Sequence, residues 1–331
     1  NQKMFKKTKC KNKDFLNLVE NINQKKKSLS IITKETREGV GLWERCNICG
    51  LSINKKGVNR SEAEEFYNEN YQKINSLESG KQLSALDHFK ARKVTVKKIA
   101  NKIYPYLNSK MSIYELGAGS GELLYYLKNK VKSCEANEIN KVYSDFIKKK
   151  LKIKSSHKNF LEDNFKNKFD VIISICTIDH IYETRKILEK IYRDLKKGGL
   201  FYLELPNDNQ ILNKYLSPSF SNEFSKFMYQ KAHYYSFNLK TISNLLKNVG
   251  FKIKKLETRQ EYTAKNFLNW YFARKPQKSF DKATSEKEIL GNFNDKFEKG
   301  INKIFMNFNK QFEKTVLKNN LGDTICVLAK K

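Results

Sequence analysis

Tyr114-Glu115-Leu116-Gly117-Ala118-Gly119-Ser120-Gly121 decides the fold, because it reads as a buried strand running into a glycine turn and then a helix. Ile113, Tyr114 and Leu116 supply the apolar strand, the alternating glycines let the backbone bend and approach a ligand, and Glu122 to Leu127 begins the helix. The pattern is that of a nucleotide loop, and its details exclude two nucleotides. A dinucleotide fingerprint, G-x-G-x-x-G, would need a third glycine where Glu122 stands. A triphosphate loop would need lysine followed by a hydroxyl residue after the glycines, and neither follows. Glu115, just before the first glycine, would repel a pyrophosphate and suits a cationic ligand, such as the amino group of a methionine moiety.

Working outward, Val131 to Ile139 reads as a second strand. It ends at Glu138, about twenty residues past the glycines, where a carboxylate can accept both hydroxyls of a ribose; Glu135 is the competing position. A third strand falls within Lys152 to Leu161. Phe169 to Cys176 is a nearly continuous apolar run, as in a central strand covered on both faces, and it leads into Thr177-Ile178-Asp179-His180-Ile181. An amphipathic helix, Thr184 to Leu195, a stop at Lys196-Lys197-Gly198-Gly199 and a strand from Leu200 to Leu205 follow. Phe237 to Gly250 reads as a helix closed by glycine, Phe251 to Glu257 as strand six and Asp323 to Leu328 as strand seven.

The glycine loop, the acidic second-strand end, the Asp179-His180 pair after strand four and the helix, glycine turn and strand that follow resemble, in order and spacing, class I S-adenosylmethionine (SAM) methyltransferases. The resemblance spans residues 111 to 258. It implies an α/β, Rossmann-like, seven-stranded sheet, mostly parallel with the last strand antiparallel, and helices on both faces. It also implies a cofactor site at Glu115, Gly117, Ala118, Gly119 and Gly121, at Glu138 and Ile139, at Asn159, Phe160 and Leu161 beside the adenine, and at Cys176. Asn159 and Asp179 depart from the more usual Asp and Glu at these places.

The chain has 331 residues, long for a single such core, so additions are expected. The reading divides it into an N-terminal Cys-containing module (1–75), a helical lid or linker (76–110), the SAM-binding core (111–258), an aromatic-rich helical cap (259–321) and the last core strand (322–331). Cys46-Asn47-Ile48-Cys49-Gly50 is a knuckle that presents two thiolates to one Zn2+ ion. Some sugar methyltransferases resemble it in carrying an N-terminal zinc module with two such knuckles and a segment like Ser61 to Tyr71. Here Cys10 is the remaining candidate ligand, with Lys7 where its partner would stand. Ala85 to Leu107 reads as one helix with apolar residues at Phe89, Val94, Val96, Ile99 and Ile103, ended near Pro105; Tyr67 and Tyr71 are candidate lid residues. The aromatic Asn266 to Tyr271 run, with Lys275-Pro276 and Gly322-Asp323, adds to the likeness to surface-polysaccharide methyltransferases. It reads either as an acceptor platform or as a dimer or core-capping surface.

The formal charge of +30 invites a nucleic-acid partner. Against this, lysine greatly outnumbers arginine and is spread over almost every segment, as a compositional bias would produce. The base-amine and cytosine-C5 methyltransferase motifs are also absent from the sequence. An anionic or sugar-like small acceptor is expected, with an RNA-modifying enzyme as the alternative. No apolar stretch approaches the roughly 20 residues of a membrane span, and a cytoplasmic location is expected. Cys134, Cys176 and Cys326 fall in buried strands of this reading, as small apolar side chains. In an open α/β sheet, ligands sit at the carboxyl ends of the strands, which brings Asp179, His180, Asn207 and His233 to one edge. His180 is the expected general base for a hydroxyl acceptor, with Asp179 and His233 beside it; His233 is the other candidate base. His88 and His157 have weaker positional claims.

Overall fold

The computed structural model describes residues 29–57, 83–215, 218–277, 280–285 and 295–331. Strands β1 (Leu29–Thr36), β2 (Gly39–Cys46) and β3 (Ser52–Asn54) form an antiparallel meander, and helix α1 (Ala85–Ile103) leads into the core. Core elements then alternate as β4 (Ser112–Leu116), α2 (Glu122–Leu127), β5 (Ser133–Asn137), α3 (Lys141–Phe146), β6 (Lys154–Ser156), β7 (Phe169–Ile175), α4 (Thr184–Asp194) and β8 (Leu195–Pro206). Short helices α5 (Ile211–Tyr215) and α6 (Pro218–Met228) precede β9 (Tyr235–Ser236), α7 (Leu239–Val249) and β10 (Lys252–Arg259). Helices α8 (Ala264–Ala273), α9 (Phe280–Thr284) and α10 (Lys296–Lys318) separate β10 from β11 (Thr324–Lys330).

The main sheet runs β10-β11-β8-β7-β4-β5-β6. β4 through β8 pair in parallel, and β11 lies antiparallel between β8 and β10. This is the seven-stranded arrangement expected from the sequence. Alternation along each strand sends residues to opposite faces. Tyr114, Leu116, Ile172 and Leu203 join one apolar cluster with Ile187, Ile191, Leu245 and Leu246 of α4 and α7. Ile113, Val171 and Ile173 join the other, with Val96, Ile99 and Ile103 of α1. α7 is held at both ends: Asn238 and Thr241 cap its start reciprocally, and Gly250 at φ +116° closes it.

Three local expectations are corrected. Lys196–Gly199 is not a helix stop followed by a strand: α4 ends at Asp194, Leu195 already pairs with Phe169, and pairing resumes at Val171 with Leu200. The four residues bulge from β8, and Lys196 Nζ reaches Asp170 at 2.7 Å. Cys176 is not a core residue. It follows the end of β7 at φ +47° and is exposed, whereas Cys326 is buried and Cys134 partly so. The helix read to Leu107 ends at Ile103, and Pro105 sits in a 3-10 turn, Tyr104–Tyr106.

The N-terminal meander is continued by a strand of the core, since β3 pairs with β9. A polar knot fixes this junction: Arg45 reaches Asp208 at 3.0 Å and the Tyr229 hydroxyl at 2.7 Å, and Ser52 donates to Asp208 at 2.9 Å. Trp43 is fully buried against Tyr229. Cys10, Tyr67 and Tyr71 lie outside the described residues. Among the described residues no helix is long and apolar enough to cross a membrane.

Candidate functional site

The carboxyl ends of β4, β5 and β7 open into a cavity of about 440 Å³, within the usual range of small-molecule sites. Its floor is the glycine loop. Gly117 has φ +73°, and a Cβ there would lie 2.2 Å from the Thr177 hydroxyl, so only glycine lets the loop pass so close to the β7 exit. Gly121, at φ +85°, starts α2, and a Cβ on it would meet Leu151 at 2.7 Å. The Gly117 and Ala118 amides donate to the Asn137 carbonyl at 2.9 and 3.0 Å, tying the loop to the end of β5.

Glu138 is the organising side chain. One of its oxygens accepts from the Gly119 amide at 2.8 Å and the other from the Asn140 amide at 2.9 Å. Burial pushes its pKa up to about 7, against the pull of these two bonds. Glu135, the alternative from the sequence, instead pairs with Lys154 and Lys168 at 3.3 and 2.6 Å and does not line the cavity. Glu115 is buried at the end of β4, with Oε2 lacking a hydrogen-bond partner. Burial, reinforced by Glu122 and Glu138, raises its pKa well above the ordinary range.

Ala118, Ile139, Asn159, Phe160 and Cys176 also line the cavity, as expected for the cofactor site, and Leu161 does not. Leu161 packs against the core, its amide donating to the Asn159 side chain.

His180 also lines the cavity, with Tyr182, Glu183 and Tyr234. Asp179 and His233 lie behind it, buried. The His180 and His233 ring centroids are 4.1 Å apart, and Asp179 Oδ2 lies 3.5 Å from His233 Nδ1 and 3.9 Å from His180 Nε2. The structure thus brings the three expected catalytic residues together from two segments, the 3-10 turn after β7 and the stretch before β9. Asn207 is not among them: it is buried and donates to the Gly322 carbonyl at 2.7 Å.

His88, which had only a weak positional claim in the sequence, and Arg92, which the sequence reading did not assign, complete the site. α1 brings His88 and Arg92, one turn apart, over the glycine loop. His88 Nδ1 lies 2.8 Å from the Ser120 hydroxyl and 3.1 Å from Glu122, and Arg92 lies 3.7 Å from Glu122. Their i, i+4 spacing marks one helix face, the only signal the sequence carries. The aromatic run of α8 does not reach this cavity. Trp270 is buried against Phe224 and Phe227 of α6, so the run caps the core.

The chain matches the family model described as "Methyltransferase domain" over residues 87–256. It belongs to the methyltransferase domain family. A search of curated proteins returned no match. Solved structures of similar fold include a SAM-dependent methyltransferase from Archaeoglobus fulgidus, at 17% identity, 74% of this chain, 97% of that one and a TM-score of 0.48. Another is phosphoethanolamine N-methyltransferase 2 of Haemonchus contortus with SAM, at 16% identity, 85% of this chain, 61% of that one and a TM-score of 0.49. A third, from Mesorhizobium loti, has 10% identity, 71% and 96% coverage and a TM-score of 0.43.

The methyl donor of such a class I domain is SAM, a nucleoside carrying positive charge, and the residues of this methyltransferase fit it. Glu115, Glu122 and Glu138 line the loop end of the cavity with three carboxyl groups, whose ionised forms a cationic ligand favours. The Glu115 oxygen without a partner awaits a donor, and Glu138 keeps lone pairs beyond the two its backbone bonds use. Cys46 and Cys49 bracket the β2–β3 turn, closed by the Gly50 amide donating to the Cys46 carbonyl at 2.8 Å. Neither belongs to a cluster of at least three metal-ligand side chains among the described residues.

Proposed function

We propose that this chain is a SAM-dependent enzyme that moves a methyl group onto a hydroxyl of a small acceptor, a sugar or nucleotide-linked sugar. The observation that carries this reading is that one cavity is lined both by Glu138, fixed between two backbone amides, and by His180. Bound SAM supplies an electrophilic methyl group on a sulfonium. In this reading Glu138 accepts the ribose hydroxyls, Glu115 faces the amino group, and Asn159 and Phe160 border the adenine. The acceptor lies against Tyr182, Tyr234 and His180, whose imidazole takes the hydroxyl proton as the nucleophile forms. Cys46 and Cys49 offer half of a structural zinc site, with Cys10 as a further ligand.

The competing reading, methylation of RNA, draws on the charge of +30. Incubation with methyl-labelled SAM and a cell extract tests the choice. Label in anionic small molecules supports the sugar reading, and label in nuclease-sensitive polymer replaces it with RNA modification.

A further inference from the structure

Asp179 is 1% exposed, and neither of its carboxylate oxygens has a hydrogen-bond partner. An ionised carboxylate at such depth is costly unless a cation meets it. The groups that face it are imidazoles, His180 on its own 3-10 turn and His233 from the segment before β9, and ligand atoms of the three residues all lie within 4.8 Å of one another. We infer that Asp179, His180 and His233 form a binding site for one divalent transition-metal ion of the zinc class, with an open coordination position toward the acceptor end of the cavity.

The geometry is close to what such an ion requires. Zinc bonds of about 2.0–2.1 Å to nitrogen and oxygen in a tetrahedron set ligand atoms ~3.3 Å apart. The observed separations from Asp179 Oδ2 are 3.5 Å to His233 Nδ1 and 3.9 Å to His180 Nε2. Closing these two edges takes shifts of about 0.2 and 0.6 Å, and side-chain torsions must also draw together the two imidazoles, whose ligand atoms lie within 4.8 Å. His180 Nδ1 faces the Ala232 carbonyl at 3.3 Å. A carbonyl only accepts, so Nδ1 carries the hydrogen and Nε2 keeps its lone pair toward Asp179, the outer-shell pattern of metal-bound histidine.

Both supporting segments are pinned. The Tyr234 amide donates to the Asp179 carbonyl at 2.9 Å, Thr184 Oγ1 to the Ile178 carbonyl at 3.2 Å, and Asn54 Nδ2 to the His233 carbonyl at 2.9 Å. Two imidazoles and one carboxylate leave a fourth position, as in catalytic rather than structural zinc sites. Of the three, His180 lines the cavity, so that position opens beside it. If the transfer reading holds, an ion here occupies the His180 lone pair, so in the metal-loaded protein His180 is a ligand and no longer the base. The ion then acidifies an acceptor hydroxyl in its open position, the proton leaving to solvent water. The binding site itself does not depend on that reading.

The test uses the full chain with Cys46→Ser and Cys49→Ser, stripped with chelator and titrated with Co2+ as a spectroscopic probe. One equivalent is expected, with visible d–d bands and no thiolate charge-transfer band. Asp179→Asn and His180→Gln are each expected to weaken it at least about 100-fold, since loss of an outer-shell partner alone costs ten- to 100-fold. Thermal melts check that the variants fold. Proton NMR of the unmutated chain with Co2+ needs no site variant and should show hyperfine-shifted imidazole N–H resonances from two histidines. Absence of binding tighter than about 1 mM, binding that survives either substitution, or absence of those resonances overturns the site. SAM affinity, measured separately, reports on the transfer reading: its absence would end that reading and leave the cobalt result standing.

Discussion

Glu138→Ala is the perturbation whose consequences follow most directly from the structure. The carboxylate bridges the Gly119 and Asn140 amides at 2.8 and 2.9 Å, so it sets the loop and presents its remaining lone pairs to the cavity. Hydrogen bonds to a charged group are each worth about 1.5–3 kcal/mol, and 1.4 kcal/mol is a factor of ten in affinity. Loss of a single bond to the ribose therefore weakens SAM binding by at least about tenfold, and loss of two by considerably more. Isothermal titration of SAM into wild type and variant measures the ratio, with circular dichroism confirming that the fold survives. Unchanged affinity in a folded variant would remove Glu138 from the cofactor site.

The same carboxylate predicts a pH dependence. Its pKa in the free protein is raised to about 7, and ribose donors favour the ionised form, so SAM affinity should rise as pH increases from about 6 to 8 and then level off; a flat profile across that range would contradict this. For stability alone the sign is opposite: a raised carboxyl pKa favours the fold at low pH, and the contribution is lost as pH climbs through about 7. His180→Ala should lower transfer by about 10²- to 10⁴-fold with SAM affinity retained, and full activity would move the proton-accepting role elsewhere. Gly117→Ala places a methyl 2.2 Å from the Thr177 hydroxyl at φ +73°; loss of about 1–3 kcal/mol in chemical denaturation is expected, and an unchanged midpoint would refute the strain. Arg45→Ala removes the charged partner of Asp208 and Tyr229 and should destabilise the chain by about 1.5–3 kcal/mol, read as a lower denaturant midpoint at unchanged slope.

The core was legible because its signals are local. An apolar strand followed by alternating glycines has few backbone solutions, and Glu138 follows from its distance along the chain to the end of the next strand. Other features depend on docking. His88 and Arg92 share a helix face, but only the packing of Phe89, Val96 and Ile99 into the core turns that face toward the cavity. The pairing of β3 with β9 rests on a strand of two residues, too short for any periodicity to show. The aromatic residues of α8 have the same composition whether they cap α6 or line an acceptor site, and the contacts of Trp270 with Phe224 and Phe227 decide it. Asp179 and His233, distant in sequence, were placed on one edge by the rule that strand ends gather ligands; the Asp179 carboxylate without a partner became visible only once its neighbours were in place.

A crystal structure of the chain with S-adenosylhomocysteine, the demethylated product, tests the central claim most directly. The account predicts the nucleoside in the 440 Å³ cavity, ribose hydroxyls on Glu138, the amino group toward Glu115 and the sulfur facing the His180 end. Nucleoside bound elsewhere, or a cavity that stays empty at saturating ligand, would contradict it.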